Sequence, residues 1–219
     1  DVAWHDSLRP LLLARFPTVT QAQLHEARSY AYGGATIQDM GYYPFGHDFF
    51  SDLTHYVRSG EFVNNLFHDS QTVDEYAFAI GALAHYVGDN DGHRYATNLS
   101  TPIEFPSLGK KFGPVVTYDQ GPHQHVRTEF AYDVEQLSRQ SFAPPGYLRS
   151  AGFNVPRRLL EQAFFDTYGL SLRSVLGHPS PAIRSYRSSD KNFLPKIAPA
   201  EVLIHRKGFP PDEDTPAFH

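Results

Sequence analysis

Two histidine–carboxylate pairs are the residues of this chain whose types and spacing could do chemistry. His85 precedes Asp89 by four residues, His93 follows after four more, and His125 precedes Glu129 by the same interval. Four residues make a little over one helical turn, so the members of each pair project from one face of a helix. Imidazole and carboxylate groups on one helical face are typical of metal ions held in a helical core. The spacing therefore predicts a metal centre built on helices.

A hydrogen bond at a helix surface is the ordinary alternative for one such pair. Burial is favoured here because the neighbours of His85 are apolar: Ala82, Leu83, Ala84, Tyr86 and Val87. Buried charges must be paired or must bind a metal. His55 adds another imidazole, and a ligand set rich in imidazole favours zinc over magnesium. A structural zinc site and a buried polar network without metal stay open as alternatives.

Asp39 lies in a segment rich in glycine, proline and tyrosine between two predicted helices. An aspartate in such a loop commonly forms a turn or caps a helix. The functional interpretation is a carboxylate at the edge of the metal centre that accepts a proton from water on zinc, whose pKa is about 7. Nearby Tyr42, Tyr43 and Phe45 either line a substrate pocket or form a packed turn. Aromatic rings stack on bases as readily as they contact acyl chains, so they do not decide the substrate.

The composition narrows the class of protein. A chain of 219 residues with 41% hydrophobic residues can bury a core, and its 17 Phe and 13 Tyr predict an aromatic core or cleft. The formal charge of -5 argues against a broad nucleic-acid-binding surface. Without cysteine, zinc ligands must come from His, Asp, Glu or the backbone. No apolar run is long enough to span a bilayer. The sequence begins with Asp1 instead of methionine, so we expect natural residues upstream.

Helical periodicity recurs along the chain and strand-like alternation persists nowhere, which predicts an all-α multi-helix bundle. The predicted helices are 1–16, 21–32, 47–59, 72–87, 122–139 and 154–169. Residues 98–121 are rich in proline and glycine and predict an irregular excursion near the cleft. Prolines after about Gly177 predict an extended, irregular tail, so the domain covers 1–178 and the tail 179–219.

The ordered set of these motifs resembles the zinc-dependent phospholipase C and P1/S1 nuclease superfamily. The matching residues follow the family's order between about residues 35 and 135: Asp39, His55, His85, Asp89, His93, His125 and Glu129. The resemblance implies a mostly helical fold, a cluster of two or three zinc ions, and hydrolysis of phosphate esters.

The resemblance also implies a role for each residue. His55, His85 and Asp89 would hold one zinc, with Asp39 beside it as general base. A second zinc would be held by His93, His125 and Glu129. Asp89 would also bridge to a third ion.

Two departures from the family pattern concern the metal sites. The interval from Asp89 to His93 is two residues shorter than in the family, and Gly92 suggests a tight turn there. The family also uses a terminal amino group and a His on the first helix for its third zinc. Here the one nearby imidazole, His5, is too close to Asp39 in the sequence, so we expect His5 at the surface and an incomplete third site.

Substrate and location follow from the resemblance alone. Glu129, where nuclease relatives tend to carry Asp, and the lack of cysteine favour a phospholipase C-like enzyme acting on a phospholipid head group. The alternative is a single-strand nuclease of the P1/S1 type. We expect a phosphodiester substrate, peripheral contact with membrane surfaces and no stable nucleic-acid complex. Relatives are mostly exported, so we expect a secreted or cell-envelope protein.

Overall fold

Helices account for every regular element in the described part of the chain, which confirms the all-α class. The structure, a computed structural model, describes residues 3–139 and 152–189. Within these ranges the α-helices are α1 Arg9–Arg15, α2 Gln21–Gly34, α3 Asp48–Tyr56, α4 Ser59–Asp69, α5 Val73–Gly92, α6 Asn98–Glu104, α7 Pro106–Phe112, α8 Pro122–Arg139, α9 Arg157–Tyr168, α10 Leu172–Leu176 and α11 Pro179–Ser188. Shorter π-helical or 3-10 turns are Trp4–Leu8, Ile37–Tyr42, His93–Thr97 and Tyr118–Gln120.

Helix α5 lies at the centre of the bundle. It packs against α2 on one side and against α4 on another, and α9 covers α4. The core between these helices is rich in phenylalanine, with the fully buried rings of Phe50, Phe62, Phe78 and Phe164 in one cluster. None of the helices in the described ranges combines the length and apolar character needed to cross a membrane.

Capping side chains explain where the central helices begin. Thr20 forms a complete capping box with Gln23 and starts α2. Thr72 accepts from the Glu75 backbone and starts α5, as predicted. Thr72 and Glu75 have the sequence spacing of a capping box, but the Glu75 carboxylate does not close it, because it accepts from the Gln71 backbone and pairs with Arg158.

The predicted end of α5 at Val87 is wrong. α5 continues to Gly92, and backbone angles stay helical through the π-helical turn His93–Thr97 into α6. Gly92 is therefore a helical residue and makes no tight turn. The predicted irregular excursion is also wrong for residues 98–112, which form α6 and α7. Proline did not indicate irregular structure at this point, because Pro106 occupies the first turn of α7, where its missing N–H costs nothing.

The predicted extended tail is wrong for its first residues. Pro179 begins α11, a helix with buried Ile183 and Tyr186 that pack in the main core. Here too proline stands in the first turn of a helix. The remainder of the predicted tail, 190–219, lies outside the described residues, and the domain boundary after residue 178 stays a prediction.

Glycines bring the α2 and α5 backbones into direct contact. The sequence predicts that α2 ends at residue 32, before Gly33 and Gly34, but both glycines lie within it. A Cβ on Gly34 would lie 2.0 Å from the Phe78 oxygen, and a Cβ on Gly81 would lie 2.0 Å from the Ala31 oxygen. Any side chain larger than hydrogen would push the two helices apart.

We expect Gly81→Ala to lower the free energy of unfolding by about 1–3 kcal/mol, because its methyl group would overlap α2. Gly88→Ala is the matched control, since a Cβ there meets nothing within 4 Å. Helix propensity should make that variant about 0.5–1 kcal/mol more stable. Thermal or urea unfolding measures both, and equal effects of the two substitutions would contradict the close crossing.

Candidate metal centre

The first group of candidate ligands is Asp39, His55 and His85, from a 3-10 turn, α3 and α5. One ligand atom from each lies within 4.8 Å of the other two. His55 Nε2 is 3.2 Å from His85 Nε2 and 3.3 Å from Asp39 Oδ1. His85 Nδ1 is 3.9 Å from Asp39 Oδ2. The structure thus brings together three residues that are far apart in the sequence.

Backbone carbonyls set the orientation of both imidazoles. His55 Nδ1 lies 2.8 Å from the Ser51 oxygen, and His85 Nδ1 lies 3.0 Å from the Ala35 oxygen. Since a carbonyl only accepts, each Nδ1 carries a proton, and in the neutral imidazole each Nε2 then presents a lone pair. Two lone pairs facing each other repel unless a proton or a cation lies between them. Two imidazole nitrogens on a tetrahedral zinc are roughly 3.3 Å apart, close to the distance seen here.

Asp39 is held in place by its own turn. The Ser51 and Thr54 hydroxyls of α3 both donate to the Gln38 oxygen, at 2.6 Å and 3.2 Å. The Gln38 side chain donates to the Ala82 oxygen of α5 at 3.2 Å. These bonds tie the residue before Asp39 to both helices that carry the imidazoles of the group.

The second group is His93, His125 and Glu129, and its ligand atoms also lie within 4.8 Å of one another. Glu129 Oε1 is 2.6 Å from His93 Nε2 and 3.0 Å from His125 Nε2. The π-helical turn places His93 at the junction of α5 and α6, where it faces α8. Such turns are frequent at functional sites because they reorient side chains within a helix.

His125 and Glu129 contain buried atoms that need a partner. His125 is fully buried, and neither ring nitrogen has a hydrogen-bond partner among the described residues. Its contact with Glu129 Oε1 is short but lacks hydrogen-bond alignment, and that oxygen is also without a hydrogen bond within the same ranges. Each unpaired buried atom costs about 1–3 kcal/mol. A cation between nitrogen and oxygen would remove that cost, so these residues fit a metal ion.

Neighbouring charges of opposite sign shift the pKa values of the second group. Burial alone would lower the pKa of His93, but the adjacent Asp89 and Glu129 carboxylates raise it to about 10. Burial would raise the pKa of Glu129, but the neighbouring His125 and His93 imidazoles bring it to about 2. The site thus holds anionic carboxylates around a position that favours positive charge.

Asp89 lies between the two groups. Its Oδ1 is 3.1 Å from His93 Nε2. Against the effect of burial, His93, His55 and His85 lower the pKa of Asp89, so it interacts with imidazoles of both groups. The carboxylate within ligand distance of His55 and His85 is Asp39, however, and the direct contact of Asp89 is with His93.

Three tyrosines form a wall beside both groups, and only Tyr42 was predicted. The Tyr42 ring lies 6.2 Å from the His55 ring. Tyr56 and Tyr118 stack at 4.8 Å, and Tyr118 also meets the His125 ring edge-on at 5.7 Å. Burial raises the pKa of all three phenols, so they stay neutral. Tyr56 follows His55 directly, whereas nothing in the sequence around Tyr118 marks it.

The other predicted pocket residues lie elsewhere. Tyr43 packs edge-on against Tyr186 at 5.4 Å, in contact with the main core. Phe45 is 70% exposed and lines a recess with Pro181 and Arg184 of α11. His5 is exposed, as expected.

Two groups of candidate metal ligands on a helical scaffold are the arrangement expected of a helical metalloprotein. The family model described as zinc dependent phospholipase C matches residues 6–177, well over half of the chain. The chain therefore belongs to the zinc-dependent phospholipase C family, which confirms the resemblance. Neither the curated proteins nor the solved structures give a match. At the level of the family, this is a zinc-dependent phosphodiesterase.

We expect Asp89→Asn to lower the zinc content by more than one equivalent per chain, because Asp89 interacts with both groups of ligands. Glu129→Gln should affect its own group alone and lose about one equivalent. Elemental analysis of purified protein gives the stoichiometry.

The matched control is Asp91→Asn, which removes an exposed carboxylate two residues further along α5. It should keep the wild-type zinc content. A loss of one equivalent or less in Asp89→Asn would refute the linking role of Asp89.

Zinc binding should release protons, because His93 carries a proton below a pKa of about 10 and must lose it to become a ligand. Zinc affinity should consequently rise as the pH increases from about 7 to 10. Calorimetry in two buffers with different ionisation enthalpies counts the protons released. The His93→Gln variant should release fewer, and equal release from both proteins would exclude His93 as their source.

Proposed function

We propose that this chain is a phospholipase C-like hydrolase that uses zinc-activated water to cleave the phosphoester of a phospholipid head group. The observation that carries the proposal is the pair of three-residue groups, with Asp89 between them, inside a chain of the zinc-dependent phospholipase C family. A closed structural zinc site has four protein ligands. Each group here supplies three, which leaves a position for water or substrate.

We propose one zinc per group, with a third ion incompletely liganded. Asp39, His55 and His85 would hold the first ion, His93, His125 and Glu129 would hold the second, and Asp89 would bridge between ions. Bound zinc would polarise phosphate oxygens and lower the pKa of water to about 7. The negative carboxylates offset the charge of the ions, and the carbonyl partners of His55 and His85 keep each Nε2 available.

Asp39 acts as the general base in this proposal. Its side chain is about one-third exposed, so water reaches it, while its neighbours His55 and His85 are nearly covered. The hydrogen bonds from Ser51 and Thr54 to Gln38 hold the turn steady, so the carboxylate needs little reorientation when it accepts a proton.

The tyrosine wall positions the substrate. The Tyr42 and Tyr118 side chains interact, and the Tyr118 hydroxyl donates to Asp52 Oδ1 at 3.3 Å. These contacts hold the rings of Tyr42 and Tyr118 beside both ligand groups. Neutral aromatic faces suit a head group that carries a positive charge, and they also stack on nucleobases. Membership of the phospholipase C family favours a phospholipid substrate over a nucleic acid. So does Glu129, which stands where nuclease relatives tend to carry Asp. Export to the cell surface or the medium is part of the same proposal.

Hydrolysis of p-nitrophenyl phosphorylcholine, compared with release of acid-soluble nucleotides from single-stranded DNA, tests the function. We expect turnover of the first substrate, which EDTA abolishes and added zinc restores. Preferential nucleotide release would identify a nuclease. Bound zinc without turnover of either substrate would identify structural zinc.

Asp39→Asn should lower turnover of the same substrate roughly a hundredfold or more, as expected for loss of a general base that is also a ligand of the first ion. Its circular dichroism should be unchanged, because the hydrogen bonds of the turn do not use the Asp39 side chain. Asp6→Asn, an exposed carboxylate in the first helical segment, is the control and should keep full activity. Wild-type turnover in Asp39→Asn would remove Asp39 from the mechanism.

A further inference from the structure

An exposed apolar stripe lies on the helix that continues beyond His93. Tyr95, Leu99 and Ile103 follow one another at four-residue intervals, so their side chains project from one side of the helix. They are 65%, 42% and 78% exposed. Single exposed apolar residues are common, but a contiguous set marks an interaction surface.

The buried side of the same stretch carries two threonines and Pro102 instead of large apolar side chains, which departs from the usual pattern of a surface helix. Thr97 and Thr101 are buried, and the Thr101 hydroxyl donates to the Thr97 oxygen at 2.8 Å and to the Thr128 hydroxyl of α8 at 3.4 Å. The bundle therefore stabilises this helix through hydroxyl groups. Its leucine and isoleucine contribute little to the core and remain available to a partner.

Positive charges flank this stripe in the sequence of a chain that is acidic as a whole. Between residues 93 and 112, Arg94, Lys110 and Lys111 are the Lys and Arg residues, and Glu104 is the sole carboxylate. All four are exposed. The formal charge of the full chain is -5, so this segment differs in sign from the rest.

Two of these cations are paired with aromatic rings. The Arg94 guanidinium lies 5.2 Å from the centre of the Tyr95 ring, and the Lys111 ammonium lies 4.5 Å from that of Phe112. Apolar side chains flanked by aromatic rings and basic groups are the composition of helices that lie in the head-group region of a bilayer.

We propose that the stripe of Tyr95, Leu99 and Ile103, together with Arg94, Lys110 and Lys111, docks this chain on an anionic phospholipid bilayer. The proposal rests on the proposed function, since it presents the bilayer as the source of the substrate. A second copy of the chain is disfavoured as the occupant, because a symmetric dimer through this surface would oppose basic residues.

The docking surface is attached directly to the candidate metal centre. Its helix begins at the candidate ligand His93, and α6 is fastened to α8 by the Thr101–Thr128 contact and by a hydroxyl contact between Ser100 and Tyr132. Helix α8 carries the other residues of the second ligand group. Binding at this surface therefore holds the metal centre at the membrane without using any of its ligands.

Vesicle flotation with the zinc-loaded chain tests the proposal. We expect binding to vesicles of phosphatidylcholine with phosphatidylserine and weaker binding to phosphatidylcholine alone. Leu99→Asp/Ile103→Asp should lower partitioning roughly a hundredfold, because two exposed apolar side chains no longer enter the interface. Lys110→Gln/Lys111→Gln should lower it roughly tenfold on the anionic vesicles alone.

The matched control is Leu11→Asp/Phe165→Asp, which makes the same change at two exposed apolar residues of α1 and α9. It should bind like wild type. Turnover of soluble p-nitrophenyl phosphorylcholine should stay at the wild-type level in the Leu99/Ile103 variant, while hydrolysis of vesicle phospholipid falls with its binding.

Failure of this surface is distinguishable from failure of the proposed function. Absence of wild-type vesicle binding, equal loss in the control variant, or dimerisation through these residues would overturn the docking proposal even if the soluble substrate is hydrolysed. Vesicle binding that the Leu99/Ile103 variant loses would uphold it, even if no phosphodiester is hydrolysed and the proposed function fails.

Discussion

The contact between the backbones of α2 and α5 is the constraint on which the rest of the structure depends. Gly34 and Gly81 let the two helices approach until backbone atoms touch. This approach sets the distance from the Ala35 oxygen to His85 Nδ1, and hence the direction of the metal-binding lone pair. Because α5 continues through the π-helical turn, the same anchored helix also carries Asp89 and His93.

Charge compensation is the second constraint and connects packing with chemistry. His125 is buried with ring nitrogens that no described residue satisfies, and the Nε2 atoms of His55 and His85 lie 3.2 Å apart. Hydrophobic burial elsewhere in the bundle offsets the cost of bringing these groups together. A bound cation would turn this unfavourable arrangement into a stabilising one, and stability and the proposed catalysis would then depend on the same ion.

Sequence spacing predicted much of the candidate site because helices convert four-residue intervals into shared faces. The pairs of His85 with Asp89 and His125 with Glu129 required nothing more than helical geometry. The tyrosine wall was mostly missed, because Tyr118 reaches the site from a short turn between helices whose position depends on packing. The same limit applies to Tyr43, whose ring turns to the core instead of the cleft.

The sequence by itself determined the helical class, the family and the residues able to bind zinc, since these follow from periodicity, residue chemistry and the order of motifs. Tertiary structure alone decided that Asp39, and not Asp89, contacts His55 and His85. It also decided that residues 93–104 continue the helix with threonines inward and Leu99 and Ile103 outward. Both outcomes depend on long-range packing between α3, α5 and α8, which local residue preferences do not encode.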